Sequence, residues 1–294
     1  MNQGAALDNR VMDYFIDRHE FLSSLPTYKD AYGQSSHLKY DVSGYSHSSP
    51  EDPIIDNTPE AKLETENSLK KMASRLYGAS EDSIIITGRS LMLSGGTVPI
   101  KVEAVLYRAL PKTFYVKQFD LHRVLGMESY NLLRGNKPLS FIFSDHVIIE
   151  EEAPGRLASS FSNLEMNKDY LKNLVRLEVL ADILSIHDLG NPFNLNVDTD
   201  YNIHLFDFDK SFSKRGYRLT YGLEARDDFP IDQIIIDESS LIFSRALKEQ
   251  DRISTIINIM KLIDFQSKEA AFLGFRNMGE YFESKIKNLM LTRH

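Results

Sequence analysis

HDLGNPFNLNVDTDYNIHLFDFD, residues 187–209, puts three oxygen-bearing side chains, Asp188, Asn194 and Asp207, into one short stretch. Between Asn194 and Asp207, Leu195 and Val197 and then Ile203 and Leu205 alternate with other residues at the period of a strand. The polar run Asp198-Thr199-Asp200-Tyr201-Asn202 separates the two halves. The pattern predicts a hairpin that carries Asn194 and Asp207 back towards each other. Oxygen ligands at the base of a hairpin suit a hard cation, above all magnesium carrying nucleotide phosphates. Calcium is the lesser alternative: Asp198, Asp200, Asn202 and Asp209 fall at the ligand spacing of an EF-hand loop, but Ile203 stands where its sharp turn needs glycine.

Upstream, Leu171, Leu174, Val175, Leu177, Ala181 and Leu184 recur at helical spacing, so a helix over about 168–186 leads straight into Asp188. Before it, Glu151-Glu152-Ala153-Pro154-Gly155 is a polar link containing chain breakers, which closes a strand-rich half. That half predicts strands over 83–87, 98–107, 113–119, 139–143 and 146–150. Turn chemistry stands at Gly88-Arg89-Ser90 and Ser94-Gly95-Gly96, where bare backbone amides could approach phosphate. A helix begins after Asp120, with Leu121, Val124, Leu125, Leu132 and Leu133 on one stripe. Thr58-Pro59-Glu60 starts another helix and Gly78 stops it.

The first 57 residues read as a short amphipathic helix over 11–25 and a long loop rich in Ser, Tyr, Gly and Pro. From Asp237 onwards the periodicity is helical, interrupted at Gly274 and Gly279. The expected organisation is an extension over 1–62, a strand-rich lobe over 63–152 and a helical lobe over 153–294, with a cleft between the lobes.

Composition narrows the function. With 294 residues and 42% hydrophobic content the chain can fill a sizeable core. A net charge of −8 argues against broad nucleic-acid binding. Cysteine is absent from the sequence, which excludes disulfides and thiolate metal sites. The start MNQGAALDNR lacks the basic run and apolar stretch of a signal peptide, and no transmembrane run follows, so the expectation is a soluble, cytoplasmic protein. No GxxxxGK[ST] or GxSxG motif occurs.

Lys117 lies in the run Phe114-Tyr115-Val116-Lys117-Gln118-Phe119, and Glu128 falls seven residues past Leu121 on the apolar stripe of the next helix. A carboxylate on a buried face needs a cation, and Lys117 is the expected partner. Lys210, Lys214, Arg215 and Arg218 cluster directly after Asp209, a candidate site for an anionic activator or substrate.

In this order these pieces resemble the protein-kinase-like superfamily: a strand lysine, a helix glutamate, a polar link, a long helix, an Asp-Leu loop, an Asn-Leu-x-Val strand and Asp-Phe-x. The 13 residues from Asn194 to Asp207-Phe208-Asp209 look like the segment from the metal-binding Asn to the DFG motif. Ile148-Ile149-Glu150 to Gly155-Arg156-Leu157 is similar to the hinge of aminoglycoside-phosphotransferase members. The resemblance covers roughly 80–220. It implies an α+β, bilobal fold and an ATP- and Mg2+- (or Mn2+-) dependent kinase. By matching position, Lys117 would clamp the α- and β-phosphates and pair with Glu128, with Gly95 and Gly96 over the phosphates. Glu150, Glu151 and Glu152 would border adenine, Asp188 would be the base, and Asn194 and Asp207 would hold the metal.

This sequence departs from the pattern in a longer Asp188–Asn194 loop, Asp209 in place of the DFG glycine, and no APE-like sequence. The resemblance points to an atypical kinase of the bacterial effector or toxin type acting on protein hydroxyls, with secretion into a host cell as a further implication. The alternatives are a phosphoinositide or other small-molecule kinase, and a pseudokinase serving as a nucleotide- or partner-binding module.

Overall fold

The computed structural model describes residues 28–29, 35–36, 59–91, 100–106, 111–118, 121–134, 141–143, 147–186, 189, 194–206, 208, 212, 229–262 and 268–291. The expected helix over 11–25 and the glycines Gly95 and Gly96 lie outside them. Within the expected long loop, two short strands pair antiparallel, β1 (Tyr28–Lys29) and β2 (Ser35–Ser36).

Helix α1 (Pro59–Tyr77) begins at the proline and ends at Gly78, whose φ of 64° is easily reached only without a side chain. After it come β3 (Ile84–Leu91), β4 (Ile100–Leu106) and β5 (Lys112–Gln118). The chain then forms α2 (Leu121–Arg134), β6 (Phe141–Phe143) and β7 (Val147–Glu151). These five strands make one antiparallel sheet in the order β3-β4-β5-β7-β6. Gly88-Arg89-Ser90 is part of β3 and not a turn: the register shifts between Ile86 and Gly88, and pairing with β4 continues to Leu91. A bulge absorbs the extra residue, so the glycine marks a bend in a strand and not its end.

Strand alternation divides the sheet into two faces. On one, Ile84, Ala104, Phe114, Val116 and Ile149 pack against Leu69, Met72 and Ala73 of α1. Each large apolar side chain buried in this way contributes roughly 1.5–3 kcal/mol. Tyr77 secures the end of α1 by donating its hydroxyl to the Ala104 carbonyl at 3.0 Å. The other face carries Lys117, Ile148 and Glu150, since Lys117 pairs with Ile148 and Tyr115 with Glu150 in the β5–β7 ladder. Ile148 there joins the larger core, built with α2 and the helices that follow.

Beyond the sheet, β8 (Arg156–Leu157), α3 (Lys168–Leu184), β9 (Leu195–Val197) and β10 (Ile203–Leu205) come in turn. Asn167 caps α3 by accepting from the Tyr170 amide at 2.9 Å. Four helices complete the described chain: α4 (Ile231–Lys248), α5 (Gln250–Leu262), α6 (Lys268–Phe272) and α7 (Met278–Leu291). Gly274, with φ of 81°, interrupts the helical run as expected. Gly279 does not interrupt it, because it lies inside α7, where a Cβ would come within 2.8 Å of the Ile257 carbonyl on α5. Its role is close helix packing. Among the described residues no helix is long and apolar enough to cross a membrane.

Candidate active site

Strands β9 and β10 form the expected hairpin, pairing Leu195 with Leu205, Asn196 with His204 and Val197 with Ile203. Its turn is organised by Asp198, whose Oδ1 accepts from the amides of Asp200 and Asn202, both at 2.9 Å. His204 Nε2 lies 3.0 Å from Asp198 Oδ2, while Arg134 Nη2 lies 3.5 Å from His204 Nδ1. Arginine can only donate, which assigns Nδ1 as acceptor and Nε2–H as the donor to Asp198. Burial raises the Asp198 pKa, but the bonds from His204, Asn202 and Asp200 outweigh it and hold the carboxyl below its ordinary value. Both Asp198 oxygens are thereby engaged within the turn.

At the open end of the hairpin, the Phe206 amide donates to the Asn194 carbonyl at 3.3 Å. Asn194 and the residue before Asp207 therefore face each other, with Asn194 buried. A second hold on the same point comes from β5: Lys117 Nζ donates to the Phe206 carbonyl at 3.2 Å. On the far side of Asp207, Phe208 is fully buried. Asp188, Asp207, Lys210, Lys214, Arg215 and Arg218 lie outside the described residues.

Lys117 pairs with Glu150 and not with Glu128. Its Nζ lies 2.6 Å from Glu150 Oε2, and Arg123 Nη1 reaches Glu150 Oε1 at 3.3 Å. All three side chains are buried. Glu128 instead faces Arg252 of α5 at 3.7 Å. Helix rise accounts for the difference: at about 1.5 Å per residue, Glu128 lies roughly 7.5 Å farther along α2 than Arg123, which is the α2 residue that reaches Glu150 beside Lys117. Lys117 and Glu150 are diagonal neighbours on one sheet face, a separation long side chains span. That alternation was the available signal, since it places both on one face once β5 and β7 are adjacent. Arg123, on the helical stripe among apolar residues, was missed.

The two carboxylates after Glu150 are also engaged. Glu151 Oε1 lies 3.0 Å from Lys112 Nζ, and Glu152 accepts from the Tyr115 hydroxyl at 2.9 Å. Burial first, and then the Glu152 carboxylate, push the Tyr115 pKa well up. The link that follows is fastened to the hairpin: Asn196 Nδ2 donates to the Ala153 carbonyl at 2.8 Å, and β8 pairs with β9 through Arg156–Val197 and Leu157–Asn196. Gly155, with φ of 94°, sits against this ladder, where a Cβ would stand 2.3 Å from the Val197 carbonyl oxygen.

Among the described residues no group of three or more His, Asp or Glu side chains is gathered for a metal ion. The oxygen donors suited to magnesium are Asn194 and, by position in the sequence, Asp207.

No protein-family model matches the chain, and neither does any curated protein sequence. Among solved structures, the FAT and kinase domain of CtTel1 matches with a TM-score of 0.45 at 10% identity, over 84% of this chain and 26% of that one. The complete CtTel1 dimer with C2 symmetry and the open conformation of CtTel1 each match with a TM-score of 0.44 at 10% identity. Each of these two alignments covers 84% of this chain and 14% of the CtTel1 chain, so the chain spans about a quarter or less of its neighbours' length.

Proposed function

We propose that this chain is a phosphotransferase of the atypical protein-kinase type, moving the γ-phosphoryl group of ATP to protein hydroxyls. The observation that carries the reading is the double engagement of Lys117 Nζ, with the Glu150 carboxylate and with the carbonyl immediately before Asp207. A strand lysine is thereby tied to the hairpin base where Asn194 stands, which supports a phosphate clamp next to a metal site.

Lys117 binds phosphate oxygens in this reading, and Glu150 orients it. Arg123 keeps the Glu150 carboxylate in place from α2. Asn194 and Asp207 would hold magnesium or manganese, and Asp188 would accept the proton of the attacking hydroxyl. The ion, when bound, draws phosphate oxygens together and neutralises their charge. The strand-rich lobe spans 63–152 and the helical lobe 153–294, with 1–62 as an extension. In this reading the link over 150–153 would border adenine, and Gly95 and Gly96 would cover the phosphates. Lys210, Lys214, Arg215 and Arg218 would receive an anionic activator or acceptor.

The test is incubation of the full chain with γ-labelled ATP and Mg2+ or Mn2+, with Asp207→Ala as control. Label on protein, lost in the control, supports the proposal. Label on extracted phosphoinositide moves the acceptor to lipid, and nucleotide-dependent thermal stabilisation without transfer makes the chain a binding module. Neither transfer nor nucleotide binding overturns the kinase reading.

A further inference from the structure

At the turn end of the β9–β10 hairpin, apart from the Lys117 trio, a cavity of about 210 Å3 is lined by Arg134, Asn173, Arg176, Asn202, Glu238 and Arg245, among others. Three guanidinium groups against one carboxylate leave two formal positive charges. Both Glu238 oxygens are taken, Oε1 by Arg245 at 3.1 Å and Oε2 by Arg176 at 3.7 Å. Arg134 has no acid of its own among the described residues, and its buried Nη1 has no hydrogen-bond partner there. The half-buried Arg134 guanidinium stacks 5.1 Å from the Tyr130 ring centroid, and a donor left unanswered there is unfavourable unless the side chain turns it to an acceptor in the cavity.

Size and shape narrow that acceptor. The volume is below the roughly 300–1,000 Å3 of pockets for drug-sized ligands, too small for a nucleotide and sufficient for one tetrahedral oxyanion. Guanidinium forks match phosphate oxygens in pairs, and a dianion would balance the two excess charges.

We propose that this cavity binds a phosphate group, as inorganic phosphate or as a small phosphomonoester, and that the bound anion braces the hairpin turn. The lining residues already grip that turn. Arg134 Nη2 donates to the Ile203 carbonyl at 2.5 Å, and Asn173 Nδ2 donates to the Tyr201 carbonyl at 2.9 Å. Tyr201 has a φ of 59°, so the braced backbone is one that a non-glycine residue rarely adopts. The site is independent of the phosphotransfer reading.

Calorimetry and thermal unfolding of the full chain test it, with inorganic phosphate, glycerol 2-phosphate and acetate compared at constant ionic strength. Saturable phosphate binding with a rising Tm is expected, and glycerol 2-phosphate binding more tightly than phosphate would identify a monoester as the natural source. Arg176→Ala, at a side chain 39% exposed, should keep the fold and raise the phosphate Kd at least tenfold. Arg134→Lys, which keeps the charge but loses the fork, should do the same. Lys287→Met, at an exposed side chain of α7 away from the cavity, should leave the Kd unchanged. The proposal is overturned by absence of saturable binding, by an unchanged Kd in Arg176→Ala, by loss of binding in Lys287→Met, or by acetate binding as tightly as phosphate.

Discussion

Phe208 meets Tyr130 edge to face, with ring centroids 5.0 Å apart and 64° between the planes. Phe208 directly follows Asp207 and Tyr130 belongs to α2, so the contact fixes how the chain leaves the hairpin towards that helix. Together with the Lys117 bond to the Phe206 carbonyl, it constrains both chain neighbours of Asp207. Phe208→Ala should cost about 3–5 kcal/mol in urea unfolding, the range for emptying a buried aromatic site. Phe208→Leu should cost distinctly less. A loss below about 1 kcal/mol for the alanine variant would show that the ring is not packed.

Glu150 and Glu128 make contrasting predictions. Glu150→Gln leaves Lys117 and Arg123 without their shared carboxylate, and breaking such a buried pair costs roughly 3–5 kcal/mol. Glu128→Gln alters a 3.7 Å contact with Arg252 in which the glutamate side chain is 15% exposed, so a smaller loss than for Glu150→Gln is expected. If the phosphate clamp depends on Glu150, ATP affinity measured on the folded protein should fall in the first variant and hold in the second. The reverse order would restore the helix glutamate as the partner of Lys117.

At Gly155, substitution tests the join between the β7 link and the hairpin. An alanine must adopt a φ of 94° and place its Cβ 2.3 Å from a backbone oxygen, so neither rotation nor a flexible neighbour relieves it. Gly155→Ala should destabilise by about 1–3 kcal/mol, from backbone strain alone, and more if the β8–β9 ladder parts. Gly78→Ala, where nothing lies within 4 Å, carries the backbone cost without the collision. The difference in urea midpoint between the two measures the collision.

Much of the fold was legible because local signals and tertiary packing agree. Thr58-Pro59 and Gly78 bound α1 within a residue, and the alternation around residues 198–202 located the hairpin. Glycine misled twice, since it can stop an element or permit close approach within one, and only the neighbouring chain decides which. Gly88 sits at a bulge and Gly279 against α5. At the candidate site the sequence pattern singled out Lys117 and Asn194, and both stand near the base of the hairpin. Glu150 was read as part of a link because its charge sits in a strand whose partner strand the sequence does not name.

The basic residues after Asp209 yield a prediction from the sequence alone. If they receive an anionic activator or acceptor, Lys214→Ala with Arg215→Ala should weaken its binding and make the remaining affinity less dependent on salt. Titration of inorganic polyphosphate at two ionic strengths measures both. Unchanged affinity would reduce the cluster to a solvated loop.

Acid sensitivity should concentrate at the hairpin turn. The Asp198 carboxyl is held below its ordinary value of 3.8 by hydrogen bonds from His204, Asn202 and Asp200, although burial acts in the other direction. A depressed folded-state pKa means that the unfolded chain binds the proton first as pH falls. The stabilisation is therefore fully present above the ordinary value and is lost as pH drops through the lower, folded value. Asp198→Asn cannot titrate, so its unfolding free energy should fall less steeply than that of the wild type between about pH 5 and pH 2. Parallel curves for the two proteins across that window would show that the turn contributes nothing to acid unfolding.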